Sequence, residues 1–193
     1  MKSKNYSFFL TALFLCSLIF VNAQTNSLRG LVAVVRPVYS ESTTDFLNKF
    51  SVSLKEEGYE SASEQIKSLA KGGFGSGFVY TNPSNGQNYI ITNRHVVIQA
   101  QYVNVEFMLE DQSVRAFNKC KIEAVDEDHD LAIISLPSES KFEKTLEINT
   151  QRPEDGTDVY TAGYPGLNNE PSWQFGKGII SNFQLCTRHY LHF

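Results

Sequence analysis

Tyr89-Ile90-Ile91-Thr92-Asn93-Arg94-His95-Val96-Val97 is the stretch on which the reading of this chain turns. Its first four residues are β-branched or aromatic, the composition of a strand with a buried face. The histidine falls where that strand should give way to irregular backbone, between polar Asn93-Arg94 and apolar Val96-Val97. Further on, Asp128-His129-Asp130-Leu131-Ala132-Ile133-Ile134 sets an aspartate directly before a second apolar run. Leu131 to Leu136 reads as a nearly continuous buried strand.

Working outward, the pattern is of short strands. Leu31-Val32-Ala33-Val34-Val35, stopped by Pro37, predicts a strand. Gly75-Ser76-Gly77-Phe78-Val79-Tyr80 predicts another, leading into a turn at Asn82-Pro83-Ser84-Asn85-Gly86. Val103, Val105, Phe107 and Leu109 alternate with less apolar neighbours, and Cys120, Ile122 and Ala124 alternate again. Asp155-Gly156-Thr157-Asp158 is a turn before Val159–Gly163, and Trp173 to Phe183 predicts a last strand. Strands at this spacing, with no βαβ repeat, predict an all-β barrel or sandwich.

One segment differs. Phe46, Leu47, Phe50 and Leu54 fall at helical spacing after Ser42/Thr43, with Gly58 as the stop. Ser61-Ala62-Ser63-Glu64 has capping-box form, with Ile66 and Leu69 on one face and Gly72-Gly73 as the end. Residues 42–70 are therefore expected to form a helical insertion between strands.

Lys2 and Lys4, the apolar run Phe8 to Val21 and the small-residue site Val21-Asn22-Ala23 predict a signal peptide over residues 1–23. The run is short for a membrane span, which needs about 20 apolar residues. A lipid anchor on Cys16 does not fit, because that cysteine lies mid-run behind the bulky Leu15. Export to the periplasm or the extracellular medium is the expectation. Removing Lys2 and Lys4 leaves 15 basic against 21 acidic residues, a net charge of −6. With no basic stripe, nucleic acid is a poor partner. The mature cysteines are Cys120 and Cys186, too few for a disulfide framework, and Cys120 reads as a buried free thiol.

An imidazole with a pKa near 6.5 suits a proton shuttle at neutral pH. A lone histidine is nevertheless more often a surface or packed residue with no chemistry. Asp126, Asp128 and Asp130 read as a solvated acidic turn, the usual fate of clustered carboxylates. Asp130 differs in preceding the apolar run, so it is expected to be drawn inward, where it needs a donor such as an imidazole N–H.

With these blocks in order, the chain resembles the trypsin-like serine proteases of the HtrA (Deg) type and related glutamyl-endopeptidase-like enzymes. The residues that carry the resemblance are Leu31–Val35, Gly75–Val79, Ile90–Val97, Asp130–Leu136, Gly156–Pro165 and Gly178–Ser181. It implies a chymotrypsin-like double β-barrel over 24–184, with the first barrel at about 28–150 and the start of a second at 155–184. It also implies a serine endopeptidase acting on polypeptides without cofactor or metal. His95 would be the general base, and Asp130 the residue that fixes its tautomer. His129 would point the other way.

The family's nucleophile lies in Gly-Asn-Ser-Gly-Gly, after the Gly-Ile-Ile-Ser strand, and no such motif occurs from Ile180 to Phe193. Ser76 lies upstream of His95, while Ser172 and Ser181 lack the glycine context. Leu185 to Phe193 shows no alternation, turn or cap. The expectation is an inactive form of an exported endopeptidase, with an incomplete second barrel and an aberrant tail at 185–193. The competing expectation is a pseudoprotease that binds peptides or another exported protein. A zinc site at Cys186, His189 and His192 is a third reading, though the spacing matches no common site and lacks a fourth ligand.

Overall fold

The structure is a computed structural model describing residues 28–165 and 170–181. The expected signal peptide, the 185–193 tail and the proposed zinc ligands Cys186, His189 and His192 lie outside the described residues. The elements run β1 (Val32–Val38), α1 (Glu41–Glu56), α2 (Glu60–Ala70), β2 (Gly75–Thr81), β3 (Asn88–Asn93) and α3 (Arg94–Val97). They continue with β4 (Tyr102–Met108), β5 (Val114–Cys120), β6 (Ile122–Asp126), β7 (Leu131–Ser135), β8 (Asp158–Gly163) and β9 (Gln174–Ile179).

Seven strands form one antiparallel sheet in the order β5-β4-β1-β2-β3-β7-β6. The two edge strands, β5 and β6, are separated in the chain by Lys121 alone. A single residue cannot cross an open seven-stranded sheet, so the sheet is rolled until its edges meet. Ser135 N–H donates to the Lys121 carbonyl at 2.9 Å across that corner. The result is a curled, barrel-like sheet of the double-barrel fold that the resemblance implied. The second barrel is represented by the β8–β9 hairpin.

Alternation decides what fills the barrel. Ala33, Val35, Val79, Ile90, Val103, Val105, Phe107, Ala132 and Ile134 point inward and are buried. Phe107 and Phe142 meet with ring centroids 5.2 Å apart. Gly77 is required by this packing: a Cβ there would lie 2.5 Å from Ile90 Cγ2 and 3.0 Å from the Ile91 carbonyl oxygen. On the opposite face of β1, Val32 and Val34 pack with Tyr164, so this strand is buried on both sides. That explains its unbroken apolar sequence.

The helical insertion forms as a hairpin. Ser40, and not Ser42 or Thr43, caps α1, its Oγ accepting from Thr43 N–H at 3.2 Å. Gly58 ends the helix at φ +87°, a conformation that favours glycine. The expected capping box at Ser61–Glu64 is not used, because α2 starts at Glu60 with Tyr59 as an N-cap that makes no side-chain bond. Ser63 instead faces α1. Its Oγ donates to the Ser51 carbonyl at 2.7 Å, and Ser51 Oγ donates back to the Ser63 carbonyl at 3.1 Å. The two small side chains let the helices approach closely.

Three strand expectations need correction. Leu131 and Ile133 are not buried but 43% and 38% exposed, because they lie on the outer barrel face while Ala132 and Ile134 fill the interior. The alternation through Cys120, Ile122 and Ala124 is not one strand, since the chain turns a corner at Lys121 and Ala124 is exposed. The last described strand is shorter than Trp173–Phe183 and ends at Ile179.

Phe107→Ala is expected to lower the unfolding free energy by about 3–5 kcal/mol, since it removes the largest side chain of the barrel interior. Gly77→Ala should cost about 1–3 kcal/mol through overpacking. Urea unfolding followed by circular dichroism measures both. A loss below about 1 kcal/mol in Phe107→Ala would contradict the barrel packing described here.

Candidate active site

The β3–β7 ladder ends with Asn93 opposite Leu131. The next residues of β3 and the residue before β7 therefore face each other just beyond the paired strands. This register brings His95 to Asp130, 35 positions apart in the chain. His95 Nδ1 lies 2.6 Å from Asp130 Oδ2, and the His95 backbone N–H donates to Asp130 Oδ1 at 2.8 Å. The Arg94 N–H donates to the Asp130 carbonyl at 3.0 Å, and Asn93 Nδ2 donates to the same carbonyl at 3.2 Å. One aspartate is thus held at its side chain and its backbone by three consecutive residues.

Two local features make this possible. Asp130 adopts φ +53°, a left-handed conformation that aspartate tolerates better than most residues. His95 lies in the short helix α3, not in the irregular backbone expected at this point. The adjoining Val96 packs on Gly75, where a Cβ would come within 2.5 Å of Val96 Cγ2. Gly75 is thereby a positioning residue for the turn that carries the imidazole. Sequence reading placed it in a strand without seeing this contact.

Asp130 is not drawn fully inward, because its side chain is 44% exposed beside a His95 side chain that is 70% exposed. It finds its partners at the barrel rim. The hydrogen bond from the His95 ring, followed by that from the His95 backbone N–H, holds the Asp130 carboxyl below the usual aspartate range. A carboxylate at Nδ1 selects the tautomer with the proton on Nδ1, leaving Nε2 as the acceptor. No partner occupies Nε2 among the described residues, and His95 lines a cavity of about 410 Å³ shared with Tyr39, Leu69, Phe74, Ser76 and Tyr164.

A second histidine–aspartate pair lies nearby. His129 Nδ1 is 2.8 Å from Asp126 Oδ2, and its backbone N–H donates to Asp126 Oδ1 at 3.1 Å. The Asp126 side chain raises the His129 pKa, while the His129 ring lowers that of Asp126. The hydrogen-bond pattern copies that of His95 and Asp130, but it joins residues three apart within one exposed turn. Sequence reading took Asp126 and Asp128 as solvated and missed the pair.

Among the described residues, Ser76 and Cys120 are both otherwise engaged. Tyr164 N–H donates to Ser76 Oγ at 2.7 Å, and that hydroxyl donates to the Tyr164 carbonyl at 3.3 Å. Ser76 is a clasp between the barrel and the segment after β8. Burial pushes the free thiol of Cys120 up to about 11, far from the thiolate that reacts at neutral pH. Among the described residues, no cluster of three or more His, Cys, Asp or Glu could hold a metal ion. Nor is any described helix long and apolar enough to cross a membrane.

The chain is 29% identical over 161 residues to a protein named serine protease Do-like HtrA from Lactobacillus helveticus. The alignment covers 83% of this chain and 37% of that relative, so the chain spans well under half the relative's length. It is also similar to the Rv3671c protease of M. tuberculosis in its active form, at 21% identity and a TM-score of 0.48, over 82% of this chain and 49% of that one. The sequence profile of the trypsin-like peptidase domain matches residues 75–190, more than half of the chain, from the start of β2 to beyond β9. The chain belongs to the trypsin-like peptidase domain family.

Proposed function

We propose that this polypeptide carries the proton-relay half of an exported serine endopeptidase. His95 would serve as the general base toward a nucleophilic serine, and Asp130 would hold the imidazole in the required tautomer and stabilise the imidazolium. The observation that carries this reading is the 2.6 Å approach of His95 Nδ1 to Asp130 Oδ2, with the His95 side chain lining the adjoining cavity. The reaction would be peptide-bond hydrolysis, with polypeptides as substrates and no cofactor. Residues 1–23 would direct export and be removed before Gln24.

The 193 residues contain no serine in the Gly-Asn-Ser-Gly-Gly setting, and Ser76 is committed to Tyr164. A triad without its nucleophilic serine loses roughly six powers of ten in rate. This chain would therefore be catalytically silent while keeping the histidine–aspartate pair in working geometry. A pseudoprotease that only binds peptides has no need of a carboxylate fixing an imidazole tautomer, and the retained pair favours the hydrolase reading.

A fluorophosphonate probe is expected to leave the purified chain unlabelled, as intact mass spectrometry would show. Stoichiometric labelling at Ser76 would overturn the proposal. Asp130→Asn should move the proton from Nδ1 to Nε2 of His95, because a carboxamide N–H donates where the carboxylate accepted. Nitrogen-15 chemical shifts of the ring distinguish the two tautomers, and an unchanged tautomer would refute the role given to Asp130.

The pH dependence has a definite sign. A carboxyl held below its ordinary value keeps its hydrogen bonds above that value, near 4, and releases them as acid titrates it in the folded state. The downfield Nδ1–H proton resonance should accordingly persist from neutral pH to below about 4 and then disappear. Loss of that resonance between about pH 5 and 6, with the fold intact, would exclude the pairing.

A further inference from the structure

The cavity beside His95 does not end at the imidazole. Tyr39 and Leu69 line it, and the same two residues line a second, apolar groove of about 440 Å³ whose other walls include Phe46 and Leu47 of α1 and Ile98. The two spaces adjoin, with Tyr39 and Leu69 forming a wall of each. Phe46 is 65% exposed and Ile98 42% exposed, so both present apolar surface to water. No charged residue lines the groove, where the only polar side chains besides the Tyr39 hydroxyl are Ser42, Thr43 and Gln99. Desolvation by burial raises the Tyr39 pKa, so its hydroxyl stays neutral. Ile98 follows directly on α3, so one wall of the groove is tied to the turn that holds His95.

We infer that the helical hairpin 41–70 is a specificity element which receives an apolar side chain from the polypeptide on the leaving-group side of the scissile bond. The inference rests on the proposed role of His95. An imidazole acting as general base passes its proton to the departing amine, so the amine and the residues following it lie on the histidine's side of the bond. Next to the His95 cavity, beyond Tyr39 and Leu69, lies the groove between α1 and Ile98. An apolar side chain entering there removes its own surface and that of Phe46 and Ile98 from water. A carboxylate or ammonium entering the same space loses hydration and meets no counter-charge. The hairpin thus selects on polarity.

The test uses the whole chain and two fluorescein-labelled peptides, identical except for Leu-Phe or Asp-Asp in the leaving-side half, with binding read by fluorescence anisotropy. The apolar peptide should bind at least about tenfold more tightly, and Phe46→Ser and Ile98→Ser should each remove most of that preference. Val52→Ser is an exposed position on α1 away from the groove and should change nothing. Bound apolar peptide should also shift the His95 ring resonances. Equal affinity for the two peptides, an unaltered preference in folded Phe46→Ser, or unmoved His95 resonances would each overturn the inference. So would sedimentation showing a second copy of the chain seated on Phe46 in place of peptide. Binding is read without turnover, so a failed tautomer or labelling result leaves this comparison standing, and the converse holds.

Discussion

The antiparallel register of β3 against β7 is the constraint from which the rest of the molecule takes its meaning. Pairing stops at Asn93 and Leu131, so the residues just past each strand end emerge at the same point on the barrel rim. A slip of one residue would turn Ile90 and Ile134 out of the interior and carry His95 away from Asp130. The hydrophobic interior and the polar pair are therefore set by the same choice of register. The barrel enforces that choice, since β7 lies between β3 and β6 and the chain must come round from β5 through Lys121.

The pair at the rim is exposed, and its order comes from multiplicity. Asp130 accepts from the His95 ring, the His95 backbone, the Arg94 backbone and the Asn93 side chain, so its position is overdetermined. The exposed pair His129–Asp126 shows that two bonds between an imidazole and a carboxylate are not themselves a mark of catalysis. What separates the two cases is what lies around each. His95 borders a cavity and is backed by Val96 on Gly75, whereas His129 sits in a turn against its own neighbour in the chain.

Outside the first barrel, the fold is held by fewer ties. Ser76 clasps Tyr164, and Tyr164 packs with Val32, Val34 and the edge of the Trp173 ring, 5.4 Å between centroids. Beside this contact, Leu131 and Tyr160 line a cavity of about 980 Å³ between the barrel and the β8–β9 hairpin. Leu131 and Ile133 read as buried in the sequence and are exposed in the structure. Periodicity reports that a residue is apolar and which way it alternates. It does not report whether anything covers the face it points to. The same limit applies to Phe46 and Phe50, whose helical spacing was legible while their exposure was not.

The sequence by itself located most strand segments, the helical insertion and the turn glycines, because alternation, β-branching and turn chemistry act over a few neighbouring positions, while the pairing of His95 with Asp130 was implied by the family resemblance. Local rules also pointed to Asp130 over Asp126 and Asp128, since only Asp130 abuts an apolar strand. Only the tertiary structure decided that the sheet curls round at Lys121, that Gly75 makes room for Val96, that Ser76 binds Tyr164, and that the groove beside α1 adjoins the cavity of His95. Each of these joins atoms from segments far apart in the chain. Such contacts depend on sheet register and barrel curvature, which no short window of residues encodes.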